Sequence, residues 1–148
     1  MWIDLFSRLD SVVPGLSEAL YERVMDPRSW VPFADTRSVL EAVRGRGLKV
    51  GVVSNVPADL RPVFAKHGLD GLVDSYTHSF EVGAEKPDPA VFLAAAKSLG
   101  VKPSETLMVG DHEVDRGAER AGMRVFILPV EFEGDVRGLD RVLELLPS

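Results

Sequence analysis

Four short runs of β-branched and aliphatic residues punctuate the chain: Leu48 to Ser54, Val73 to Ser79, Thr106 to Gly110 and Arg124 to Leu128. Within them, V-G-V-V and T-L-M-V are almost continuously apolar rather than alternating. That pattern predicts strands covered on both faces, hence parallel ones. Helical periodicity fills the intervals. Asp35 to Arg46 puts Val39, Leu40 and Val43 on one face, with Asp35 as N-cap and Gly47 closing the end. Pro57 to His67 and Pro87 to Leu99 each open on proline, and a glycine follows each. Val114 to Ala121 and Val136 to Leu146 complete the series. From residue 35 onward the order is αβαβαβαβα, which predicts an α/β fold with a doubly wound parallel sheet.

Residues 1–30 break the alternation. Trp2 to Leu9 and Leu16 to Met25 read as two amphipathic helices, and P-R-S-W-V-P (Pro27 to Pro32) reads as a linker. The expected organisation is a helical appendage over residues 1–30 and an α/β core over residues 31–148. Trp2 and Trp30 are expected to pack within the appendage, Trp30 alternatively lining a substrate entrance.

A length of 148 residues suits one domain with a core of its own. A net charge of −6 argues against a nucleic-acid backbone or an anionic membrane as partner. No apolar run reaches the roughly 20 residues of a membrane span. The acidic N-terminus does not read as a signal peptide, so the expected location is the cytoplasm. With no cysteine, disulfide and thiolate chemistry are excluded.

Polar residues that could do chemistry cluster where strands end or helices begin. Ser54 and Asn55 close the first run, where parallel α/β folds place their ligands. A hydroxyl and an amide there can donate to a phosphate at the following helix N-terminus, and they equally suit an ordinary strand-to-helix turn. Lys86 lies in the rigid E-K-P-D-P turn (Glu85 to Pro89), where it can neutralise a phosphate or remain a solvated loop lysine. Asp111 follows Gly110, read as a tight turn, and Asp115 is four residues on. The two carboxylates form either a hard oxygen site suited to Mg²⁺ or a pair of helix-capping acids. His112 is a candidate proton donor or a plain loop residue, while His67 and His78 read as structural.

V-V-S-N, K-P-D-P and V-G-D-H-E-V-D, in that order, resemble motifs II to IV of the haloacid dehalogenase superfamily. The stretches S-W-V-P-F-A-D-T-R-S-V-L-E-A-V-R-G-R-G, E-V-G-A-E-K-P and G-A-E-R-A-G-M resemble its branch with a small helical cap. The resemblance implies a phosphatase-type hydrolase acting on a small phosphorylated metabolite or binding inorganic phosphate. Ser54 and Asn55 would hold phosphate, Lys86 would stabilise the phosphoryl group, and Asp111 and Asp115 would serve the Mg²⁺ site. A receiver domain also combines acids with Lys-Pro, but in the reverse order.

The family's D-x-D nucleophile strand is not recognised: Asp4 is followed by Leu-Phe and Asp10 by Ser-Val. The resemblance places that strand between those carrying Ser54 and Asp111. Three outcomes are therefore open. The two strands pair directly, the N-terminal segment fills the gap, or another chain does. Activity and Mg²⁺ affinity are expected to be impaired, with a non-catalytic phosphate-binding or protein-binding module, or a site completed in trans, as the alternatives. An incomplete sheet also raises the prospect of a homodimer.

Overall fold

A computed structural model describes residues 9–129 and 134–147. The first predicted helix lies almost wholly outside them. The second is present as α1 (Leu16–Met25), followed by a 3₁₀ turn at Pro27–Ser29 that Asp26 caps through the Arg28 amide. Then come α2 (Thr36–Gly45), β1 (Gly51–Ser54), α3 (Arg61–Lys66), β2 (Ser75–His78), the single turn α4 (Ser79–Val82), α5 (Pro89–Leu99), β3 (Leu107–Gly110), α6 (Gly117–Arg120) and β4 (Arg124–Ile127). A 3₁₀ segment, Leu139–Glu144, ends the fold.

All four predicted strands form, and each is shorter than its apolar run. β1 pairs in parallel with β2, Gly51 opposite Ser75 through Ser54 opposite His78. β3 pairs in parallel with β4, Leu107 opposite Arg124 through Gly110 opposite Ile127. Each pair is joined by a crossover containing a helix, as parallel pairing requires. The architecture is the α/β type expected, with a small sheet in two halves. Among the described residues, β1 and β3 do not pair with each other, so the first of the three outcomes for the sheet is not observed.

One helix holds the halves together. α5 starts at Asp88, whose carboxylate accepts from the Ala90 amide, with Pro89 in its first turn; it stops at Gly100 in the left-handed region. Its inner face carries Val91, Phe92 and Ala96, all essentially inaccessible, which pack with Ala118 and Met123. Val53 of β1 and Met108 of β3 rest on the same cluster. The half-sheets thus share one apolar floor although no strand among the described residues joins them. Burying side chains of this size contributes about 1.5–3 kcal/mol each.

Three predicted helices differ from the observed ones. The helix expected from Pro57 begins only at Arg61. Residues 55–60 are held irregular because the Leu60 amide donates to Nε2 of the fully buried His78, 3.2 Å away, and the Ser79 hydroxyl donates to the Val56 carbonyl. The helix expected from Val136 is a 3₁₀ segment that begins after Gly138, which sits at φ 80°. The short helix expected from Val114 opens as a 3₁₀ turn, Glu113–Arg116, before continuing as α6. Asp35 does precede α2, but its carboxylate makes no cap bond. It accepts instead from the amides of Arg137, Gly138 and Leu139, at 3.2, 2.8 and 2.8 Å. No described helix is long and apolar enough to cross a membrane.

Candidate active site

β1 and β3 end on the same side of the shared floor, and the polar residues after them are wired together. Asn55, just past β1, spends its amide on the main chain of Lys86: Nδ2 donates to the Lys86 carbonyl at 2.9 Å and Oδ1 accepts from the Lys86 amide at 2.8 Å. Two bonds to one residue fix the K-P turn against the end of β1. Lys86 Nζ then reaches across and donates to Asp115 Oδ1 at 2.6 Å. The other Asp115 oxygen accepts from the amides of Asp111 and His112, each at 3.1 Å. The chain Asn55, Lys86, Asp115 therefore ties the end of one half-sheet to the end of the other.

This pair is buried: the Asp115 side chain is 2% exposed and that of Lys86 14%. Two close approaches make room for it. Gly110 is not the positive-φ turn that its place before Asp111 suggests. It is glycine because a Cβ there would lie 2.1 Å from Asp115 Oδ2. A Cβ on Gly117 would lie 2.3 Å from the Pro87 carbonyl oxygen, so α6 abuts the turn that presents Lys86. Arg120 completes the brace by donating to that same carbonyl at 2.6 Å.

Asp111 has a different setting. Its side chain is 61% exposed, and Oδ2 accepts from Arg137 Nη2 at 3.3 Å. The Arg137 side chain is 3% exposed and also donates to the Pro129 carbonyl at 2.5 Å. Arg137 was missed in the sequence: a lone arginine beside glycine, 26 residues from Asp111, carries no local signal. His112 Nδ1 accepts from the Val114 amide at 3.3 Å, which places this ring in the capping of the turn after β3. His67 Nε2 lies 2.7 Å from the Trp30 carbonyl oxygen, and Trp30 Nε1 donates to the Val24 carbonyl, so both residues link the linker to its neighbours.

Divalent metal chemistry asks for several oxygen ligands, commonly with one or two carboxylates among them. Both Asp115 oxygens are engaged by protein donors, and one Asp111 oxygen by Arg137. Among the described residues, no group of three His, Cys, Asp or Glu side chains is arranged to hold a metal ion. Of the two acids predicted for a metal site, only Asp111 has an accessible carboxylate, which does not by itself make a hard-cation site. The helix-terminus contribution expected beside Ser54 is also missing, because α3 starts seven residues after Ser54 and is only six residues long.

The order of the motifs and their convergence on one rim match a known family. Residues 5–122 match the haloacid dehalogenase-like hydrolases. The chain belongs to that family. It is 34% identical over 124 residues to a putative pyrophosphatase, PpaX, of Clostridium perfringens, covering 77% of this chain and 58% of that protein. It is 39% identical over 95 residues to glyceraldehyde 3-phosphate phosphatase of Methanopyrus kandleri, covering 62% and 41%. A haloacid dehalogenase (HAD) phosphatase crystal structure from Thermococcus onnurineus superposes with a TM-score of 0.72 at 31% identity, covering 86% of this chain and 63% of the other. The chain spans about half the length of the curated relatives it matches.

Proposed function

We propose that this HAD-like hydrolase chain holds the phosphoryl group of a small phosphorylated metabolite, or inorganic phosphate, at the rim formed by Ser54, Asn55, Lys86 and Asp111. The observation that carries this reading is the Asn55–Lys86–Asp115 relay. It places one cation, fixed at both its main chain and its tip, beside the end of β1. The Lys86 ammonium has three donors and gives one to Asp115, so two remain for phosphate oxygens. Ser54, half-buried at the last position of β1, would add a hydroxyl. Preorganised donors of this kind stabilise charge without reorganising when the ligand arrives. Asn55 would act through Lys86, and Asp115 would orient the ammonium. The phosphatase and pyrophosphatase names of the relatives favour a phosphate ester or anhydride as substrate.

Hydrolysis by this chain is proposed to be impaired, since no residue here is assigned as the aspartate nucleophile. Mg²⁺ would bind weakly, Asp111 offering one carboxylate with Asp115 acting from behind. The second reading is a site completed by a further strand, supplied by another chain or a second copy. It is favoured by β1 and β3, each of which pairs with one strand only among the described residues, resting on a shared floor. Residues 1–30 would be the remnant of a helical cap, residues 31–148 the core, and the cytoplasm the location. Titration with inorganic phosphate tests the main reading. Binding that Lys86→Met removes and Lys86→Arg partly keeps supports it; binding indifferent to both variants overturns it.

A further inference from the structure

Among the described residues, only Phe92 is a larger fully buried side chain than His78, and the proposed phosphate site makes no use of that histidine. His78 ends β2, and its ring is sandwiched between those of Tyr76, 5.9 Å away, and Phe80, 5.6 Å away. Both ring nitrogens are engaged. Nε2 lies 3.2 Å from the Leu60 amide, and Nδ1 lies 3.0 Å from Glu81 Oε2. An amide N–H can only donate, so Nε2 carries a bare lone pair. An ionised carboxylate can only accept, so Nδ1 carries the proton. The ring is therefore a neutral imidazole protonated on Nδ1. Through Leu60 it holds the loop of residues 55–60, which leaves the rim and buries Val56 and Leu60.

A second proton can go only to Nε2, and there it would face the Leu60 N–H. Two donors cannot share that place, whereas the Asp59 carboxylate, with Oδ1 4.0 Å from Nε2, can accept. The other charged surroundings favour this exchange or are silent. Arg61, at the start of α3, lies 3.2 Å from Asp59 and 2.9 Å from Glu81, and it stands over the Tyr76 ring at 5.5 Å. β1 carries no charge, and α5 carries Lys97 in its last turn behind the capping Asp88. Hydrogen bonds from Arg61 first, and His78 next, hold Glu81 below its ordinary value of 4.5, so it stays charged where histidine titrates. We propose that His78 is an acid-released latch: its protonation hands Nε2 from the Leu60 amide to the Asp59 carboxylate and frees the loop between the rim and α3. The inference goes beyond the phosphate reading and holds or fails without it.

The test uses the full chain without ligand. Ring-nitrogen NMR at about pH 8, the neutral end of the histidine range, is expected to find the His78 proton on Nδ1. A proton on Nε2 overturns the proposal. Between about pH 8 and pH 5, where histidine ordinarily changes charge, amide-exchange protection of Leu60 should fall. The expected fall is about tenfold, the worth of one hydrogen bond, while protection of Phe92 in α5 stays level. Protection that stays level at Leu60, or falls equally at Phe92, overturns the latch. His78→Gln puts an uncharged amide oxygen in reach of the Leu60 amide and should make Leu60 protection independent of pH over that span. A fall that persists in this variant assigns the effect to another group and overturns the proposal. Asp59→Asn keeps an acceptor for the Arg61 amide but removes the receiving charge, so the fall should move to lower pH. A fall that does not move overturns the transfer to Asp59.

Discussion

Removing the Asp115 carboxylate should be the most damaging small change at this rim. Asp115→Ala strands three donors at once: the Lys86 ammonium at 2.6 Å and the amides of Asp111 and His112 at 3.1 Å each. Solvent cannot readily replace the carboxylate, since that side chain is 2% exposed and its lysine partner 14%. Breaking a buried pair from one side costs about 3–5 kcal/mol. The amides of Asp111 and His112 are part-buried, so the loss of their acceptor adds to that cost. At a urea dependence of ~2 kcal/mol/M, the midpoint should fall by about 2 M. Lys86→Met is expected to cost less, because Asp115 keeps its two amide donors. The double variant completes a cycle whose coupling should exceed ~1 kcal/mol. A midpoint shift below about 0.5 M for Asp115→Ala, or a coupling near zero, would refute a buried relay joining the half-sheets.

Three further predictions use other residues. Gly110→Ala should lose the Lys86 contact and cost at least 1–3 kcal/mol, an overpacking range, because its Cβ meets Asp115 Oδ2 at 2.1 Å; thermal unfolding reads this, and a neutral variant contradicts it. Phe92→Ala should cost about 3–5 kcal/mol by urea denaturation, Phe92 being fully buried in the floor shared by both half-sheets. Burial pushes the Asp35 carboxyl up, but the amides of Leu139, Arg137 and Gly138 outweigh it and hold Asp35 below its ordinary value of 3.8. A lowered pKa means stability that is present above the ordinary value and lost as pH falls through the folded one. Exchange protection at residues 137–139 should therefore persist to about pH 4, within the ordinary carboxylate range, and fade below it; protection that fades well above that pH contradicts the staple.

Much of this was legible in the sequence, for identifiable reasons. The strands announce themselves as continuous apolar runs, because a strand covered on both faces has no polar side to show. α5 was legible because a proline opens its run at Pro87 and Gly100 closes it, although the helix itself starts two residues later, at Pro89, behind the Asp88 cap. Long-range wiring was not legible. The Asp35 carboxylate reaches residues more than 100 positions away, so its local role as a cap was the natural reading and the wrong one for its side chain. The late start of α3 depends on His78, a residue from the neighbouring strand. Gly110 reads in the sequence as a tight turn, whereas its actual constraint is the close approach of the Asp115 carboxylate, which no local pattern announces. The gap between β1 and β3 followed from the family resemblance alone, since no local pattern encodes which strands fail to meet.

The most direct test of the account is Mg²⁺-dependent hydrolysis of a simple aryl phosphate by the 148-residue chain, with Asp111→Asn as control. No turnover above the control is expected. Turnover that requires Mg²⁺ and vanishes in Asp111→Asn would contradict it, because a nucleophile would then be acting in a chain where none has been assigned.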